Sequence, residues 1–187
     1  FLHRAIAVAA AFHTEHAILQ LAVTDRLRPQ NQNTRLRETT LKELTTKIGS
    51  GSTPAGGKDA YKVSGIPLIR SMNVHFGGFK FDGLAFIDEA QAQKLKNVIV
   101  FPGDVLLNIT GASIGRVTVA PEEMEGARVN QHVCIIRPTE ELDSRYLEAF
   151  LASPLIQNWV FDNQVGATRE ALTKAMIEQI SVSLPPL

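Results

Sequence analysis

Arg70, Ser71, Asn73 and His75 follow the apolar residues Ile66, Leu68 and Ile69. A strand that ends in arginine, asparagine and histidine can present planar hydrogen-bonding groups at its tip. Those groups suit nucleic-acid base edges: arginine pairs with guanine and asparagine with adenine, each worth about 1–3 kcal/mol of discrimination. The plainer alternative is a half-exposed strand with ordinary polar residues. A second candidate is residues 108–116 (NITGASIGR), a glycine-rich turn between β-rich flanks with Thr110, Ser113 and Arg116 at its tip or just after it. Short hydroxyl side chains and exposed backbone amides suit phosphate contacts, and glycine lets a backbone approach closely. A plain tight hairpin turn fits the same residues. Between residues 41 and 81 the basic side chains Lys42, Lys47, Lys58, Lys62, Arg70 and Lys80 face only Glu43 and Asp59, so this stretch is a candidate basic face. Glu122, Glu123 and Glu125 would be repelled by phosphate and belong on a solvated loop facing away.

Other chemistries fare worse. Residues 51–58 (GSTPAGGK) resemble a phosphate-binding P-loop, but the lysine comes one residue late and Asp59 sits where a magnesium-binding Ser or Thr is needed. The Asn-Pro-Pro-aromatic type of motif of an adenine methyltransferase is missing; the chain has only Pro185-Pro186-Leu187. His13 and His16 can share a helix face, yet a metal needs three or four ligands and no third lies nearby. Cys134 stands in an apolar run and reads as a small core residue rather than a nucleophile. No nucleophile elbow or metalloprotease signature occurs.

The elements that must position these residues follow from hydrophobic pattern and turn chemistry. The chain has 187 residues, 44% hydrophobic and 20% charged, enough for one core plus an appendage. Its 19 basic and 19 acidic residues cancel, so any polyanion binding is expected to be weak alone and helped by partners. A single cysteine and no apolar run of about 18 residues point to a reducing cytoplasm and no membrane span. Residues 1–28 read as an Ala-rich helix ended by Pro29, and residues 29–34 as a polar linker. A shorter helix is expected over 41–48, then a glycine-rich loop over 49–58 and a strand starting after Pro67. Strands are expected near 98–101, 104–109, 114–119 and 129–137, the last being central because residues 133–136 are continuously apolar. Tyr146, Leu147, Phe150, Leu151, Leu155, Ile156 and Trp159 mark an amphipathic helix interrupted at Pro154. Residues 166–169 form a loop, 174–179 a short helix and 180–184 a last strand. The fold class is α+β: an N-terminal helical arm (1–34) before one mixed β-sheet domain with flanking helices (35–187).

Four pieces in order resemble the DNA-specificity (S) subunits of type I restriction–modification systems. They are SGSTP (50–54), GIPLIRSMNV (65–74), GDVLLNITGASIGRV (103–117) with NQHVCIIRP (130–138), and the tail GATREALTKAMIEQISVSLPPL (166–187). The arm segment ILQLAVTDRLRPQNQN (18–33) is similar to the helix preceding a recognition domain, with Asp25 where the family usually has glycine. The resemblance implies one non-catalytic target-recognition domain reading half of a split double-stranded DNA site. It implies docking on methyltransferase subunits that use S-adenosylmethionine, joined by ATP- and magnesium-dependent restriction/translocase subunits. No cofactor is expected in this chain, and self-association through helices is a further possibility it raises. DNA-facing candidates are Ser52, Thr53, Lys58, Arg70, Asn73, His75, Thr110, Ser113, Arg116 and Arg169. Two other readings stand beside it: the recognition part of a fused restriction–methylation protein, and a β-rich interaction or inhibitor module that binds only protein.

Overall fold

The computed structural model describes residues 37–54, 56–163 and 171–184. The helical arm, its linker, the 166–169 loop, Arg169 and the side chain of Lys58 lie outside the described residues.

The centre is an antiparallel four-stranded sheet in the order β2 (Thr45–Ser50), β10 (Val133–Pro138), β7 (Val105–Asn108), β8 (Val117–Val119). The continuously apolar run does sit in the middle, with Ile135 opposite Leu106 on one side and Gly49 on the other. This sheet is buried on both faces. Cys134, Ile136, Val105 and Leu107 point into one cluster, and Val133, Ile135 and Leu106 into another. Alternation of side chains along a strand explains the split, and two apolar faces explain why β10 lacks an alternating pattern.

Against the first face pack α2 (Ser144–Leu151), α3 (Pro154–Asp162) and α4 (Lys174–Glu178), with a ribbon of β1 (Arg37–Thr40) and β11 (Ser181–Leu184). Each helix begins on a side-chain cap, Asp143, Ser153 and Thr173 respectively. Pro154 occupies the first turn of α3, where its missing N–H costs nothing, so the helical pattern breaks there. Against the second face lies a three-stranded sheet, β6 (Ala85–Ile87), β3 (Ile66–Ile69), β9 (Arg128–Val129), whose β3–β9 pair is parallel. The helix α1 (Glu89–Lys94) covers it, and a small hairpin of β4 (Val74–His75) and β5 (Gly78–Phe79) packs on β8.

The single mixed sheet is therefore corrected to two sheets and two ribbons within an α+β fold. The helix expected over 41–48 is also corrected. Leu41 and Leu44 are buried in a turn after β1, and Thr45–Ser50 is a strand paired with β10. Backbone bonds from Leu41 N–H to the Ile180 carbonyl (3.0 Å) and from Lys42 N–H to that of Glu178 (3.1 Å) hold the turn on the tail. The β-branched Thr45, Thr46 and Ile48 then favour extension. β3 includes Pro67, opposite Phe86, rather than beginning after it. Proline, which cannot donate to the ladder, is tolerated near the start of a strand.

Candidate functional site

The link between β7 and β8 is built from the glycine-rich turn. Asn108 N–H donates to the Arg116 carbonyl (2.8 Å) and Gly115 N–H to the Asn108 carbonyl (2.9 Å). Between them Gly111–Ser113 make one 3-10 turn, and Gly111 and Gly115 take the left-handed φ values of 70° and 83° that glycine accepts without strain. The turn is anchored beneath by Asn108, which is fully buried. Its amide donates to the Ser71 carbonyl (2.9 Å) and to Ser113 Oγ (3.1 Å). Ile109 N–H donates to the His132 carbonyl (3.0 Å), tying the same turn to the start of β10.

The result is an open hollow of about 580 Å³ lined by Ser71, Met72, Thr110, Gly111, Ala112, Ser113, Arg116 and His132. Among the described residues no carboxylate lines it. The guanidinium of Arg116 is half-buried and makes no ion pair or hydrogen bond to another described residue. A chain of side-chain contacts leads away from the hollow. Thr110 Oγ1 lies 2.5 Å from His132 Nδ1, His132 Nε2 lies 3.0 Å from the Gln131 amide nitrogen, and the Thr53 hydroxyl donates to Gln131 Oε1. Ser52 and Thr53 also line a neighbouring hollow of about 240 Å³ with Pro54, Gln91, Lys94 and Leu95.

Four sequence segments thus meet at one place: 50–54 through Thr53, 65–74 through Ser71 and Met72, 108–116, and 130–132. Of the residues singled out from the sequence, Ser52, Thr53, Thr110, Ser113 and Arg116 belong to this assembly. Asn73 does not. It is fully buried, it accepts from Arg70 N–H (3.0 Å), and its amide donates to the carbonyls of Lys80 (2.8 Å) and Asp82 (3.3 Å). Those bonds knit the 70–82 segment together, so Asn73 is corrected from a base reader to a loop brace. Arg70 is partly spent in the same way. Its guanidinium lies 5.2 Å over the Tyr61 ring and donates to the Gly83 carbonyl. His75 Nε2 sits 3.0 Å from the Met72 carbonyl. The basic stretch is diluted too, since Lys62 pairs with Asp88 at 3.3 Å. Of the expected acidic loop, Met124 is buried among Glu122, Glu123 and Glu125, so only the glutamates are solvated.

Gln131 and His132 were not singled out from the sequence, and Ser71 and Asn108, though within the segments read there, were not among the DNA-facing candidates. The polar triplet Asn130-Gln131-His132 directly before a continuously apolar strand carries the same signal as the polar end of β3, and it was available. Cys134 is confirmed as a core residue: burial pushes its thiol up to about 12, which removes the thiolate a nucleophile needs. Among the described residues no helix is long and apolar enough to cross a membrane.

A family model for the type I restriction modification DNA specificity domain matches residues 35–187. The specificity subunit of the type I restriction enzyme EcoBI from Escherichia coli is 27% identical over 129 residues, a match covering 66% of this chain and 26% of that subunit. Among solved structures, the HsdS subunit from Thermoanaerobacter tengcongensis superposes with a TM-score of 0.62 at 18% identity, covering 98% of this chain and 43% of that one. A chain from a study of assembly and conformational transition in the type I R-M system gives 0.62 at 19% identity, covering 100% and 45%. The S subunit from M. genitalium gives 0.58 at 13%, covering 94% and 44%. These likenesses are of fold. The chain spans about a quarter of the curated relative and under half of each solved chain.

Proposed function

Since the chain belongs to the family of type I restriction–modification DNA specificity domains, we propose that it recognises one half of a bipartite duplex DNA target for such a complex and does so without catalysis of its own. The observation that carries this reading is the meeting of four separate sequence segments at a hollow where, among the described residues, no carboxylate lines the wall and Arg116 has no ion-pair partner. A surface of hydroxyls and one guanidinium positions a phosphodiester backbone, while exposed polar groups at the rim read base edges. Ser52, Thr53, Thr110, Ser113 and Arg116 form the centre of this surface; Arg70 and His75 stand at its edge, and Lys58 and Arg169 complete the candidate set.

Methyltransferase and restriction/translocase subunits are the proposed protein partners. S-adenosylmethionine, ATP and magnesium belong on those subunits. The near-zero net charge supports this division, because a neutral domain draws little non-specific affinity from phosphate contacts and relies on its complex. The test is methylation of the native site by methyltransferase subunits reconstituted with the full chain. Arg116→Ala is expected to lower methylation at least tenfold with the circular-dichroism melt unchanged; methylation equal to wild type would overturn the site.

A further inference from the structure

Resting on the DNA-binding reading above, we propose that the hollow takes a phosphate oxygen of the DNA backbone rather than a base edge, and that His132 and Gln131 are the positioning residues that make it so. A hydroxyl is ambiguous, being one donor and two acceptors. What it offers a ligand depends on what its neighbours have already claimed. Ser71, Thr110 and Ser113 bring hydroxyls to this hollow, and the last two have neighbours that settle the matter.

Asn108 Nδ2 can only donate, so Ser113 Oγ accepts from it at 3.1 Å and keeps its own proton free. The Thr110 hydroxyl is governed from further away. With Gln131 Oε1 set on the Thr53 hydroxyl, the amide nitrogen of Gln131 lies 3.0 Å from His132 Nε2. In that amide orientation the nitrogen donates to Nε2, which places the imidazole proton on Nδ1. Nδ1–H then donates to Thr110 Oγ1 across 2.5 Å. The Thr110 proton has no acceptor among the described residues and is available to a ligand.

With Arg116, whose guanidinium has donors only, the hollow presents the Thr110 and Ser113 protons and a cation, and none of the described residues lining it is a carboxylate. A phosphate oxygen accepts from all three. Among base edges in the major groove, the amino groups of adenine and cytosine would meet donors, and guanine N7 and O6, which do accept, carry no net charge to answer the guanidinium. Hydrogen bonds from neutral donors to an anion are roughly twice as strong as neutral pairs, so orienting one proton outward matters.

The tautomer is read directly from long-range nitrogen–proton correlation spectra of the imidazole of His132 in the free full-length chain. Protonation at Nδ1 is expected, and protonation at Nε2 would overturn the relay. Inorganic phosphate, followed by the amide resonances of residues 110–116, probes the hollow. His132→Leu and Thr110→Val are expected to weaken phosphate about tenfold or more. His132→Asn, whose amide N–H can replace Nδ1–H, is expected to stay within about threefold of wild type. Phosphate affinity unchanged in His132→Leu would overturn the proposal, as would loss in His132→Asn equal to that in His132→Leu with both variants folded. In the reconstituted complex, Thr110→Val should weaken binding to duplexes of different sequence by the same factor; a change in sequence preference would assign Thr110 to a base. If the free chain shows the Nδ1 proton and the phosphate response but the complex binds no DNA, the functional reading fails and the anion site stands. If DNA binds while the proton is on Nε2, the reverse holds.

Discussion

Arg116 and Arg137 show how differently two arginines of one small domain are used. Arg137 donates to both oxygens of the fully buried Asp104 (2.7 and 2.8 Å), reaches the Ile99 carbonyl (2.9 Å) and lies 4.1 Å over the Phe101 ring. The Nε and Nη2 donors and one face of that guanidinium are spent on the fold. Asp104→Ala would leave Arg137 unpaired and Phe101 N–H without its acceptor, and removing one partner of such a pair costs about 3–5 kcal/mol; urea denaturation measures it. Arg116 has no such duties among the described residues. Arg116→Ala should leave stability within about 0.5 kcal/mol, and should reduce the slope of log binding against log salt by about one; an unchanged slope would show that Arg116 touches no phosphate. Arg70→Ala is a poorer probe than it looks from the sequence, because it also removes the contact with Tyr61 and the Gly83 bond. A carboxyl supplies the pH dependence at this scale. Burial raises Glu148 above its usual 4.5, partly offset by hydrogen bonds from Thr118 and Val119. A carboxyl raised on folding imposes no penalty while protonated in both states, and destabilises increasingly as pH climbs past the unfolded value. Glu148→Gln should therefore melt with wild type near pH 4 and a few degrees above it at neutral pH, read by thermal scans at both.

Two glycines separate the scale of the element from that of the residue. A Cβ on Gly51 would lie 1.8 Å from the Val129 carbonyl oxygen, where the loop after β2 crosses β9 with Gly51 N–H bonded to the Asn130 carbonyl (3.1 Å). Backbone cannot yield there, so Gly51→Ala should cost more than about 3 kcal/mol or prevent folding. Gly111 has open space around its Cβ position and only a φ of 70° to satisfy, so Gly111→Ala should cost about 1–3 kcal/mol. Equal stabilities for the two variants in urea would refute this account. The same contrast marks what was legible beforehand. Strand β7, the break at Pro154 and the helix before β11 follow from apolar runs and turn residues and stand where the pattern puts them, while the strand expected over 129–137 divides into β9 and, from Val133, β10. The strand β2 was not legible, because Leu41 and Leu44 at helical spacing are caught in a turn whose bonds come from residues 178 and 180, far off in sequence. The helix α1 was missed although its capping box, Asp88 with Gln91, is written in the chain. At the site, the hydroxyls and Arg116 were visible as types. The withdrawal of Asn73 and the entry of His132 depend on which face of a loop turns inward, and no local pattern carries that.

The whole molecule is organised around the four-stranded sheet, with helices on one side and the smaller sheet on the other. Reading a chain for one sheet with flanking helices misses this, since strands as short as β9 and β6 contribute two and three residues each. The hollow sits where segments of both sheets reach the β7–β8 link, so its shape depends on more than one loop. Val133, Cys134, Ile135 and Ile136, consecutive in β10, serve the two clusters alternately. That strand is a party wall, and a party wall cannot stand for one tenant only. Loosening either side exposes the back of the other, so neither cluster has a state in which it melts alone. Calorimetric and van't Hoff enthalpies should agree within error, and Ile135→Ala, which thins one side, should lower the single transition by about 2–5 kcal/mol of stability without splitting it. Two resolved heat peaks from the described core would mean that the wall is two walls after all.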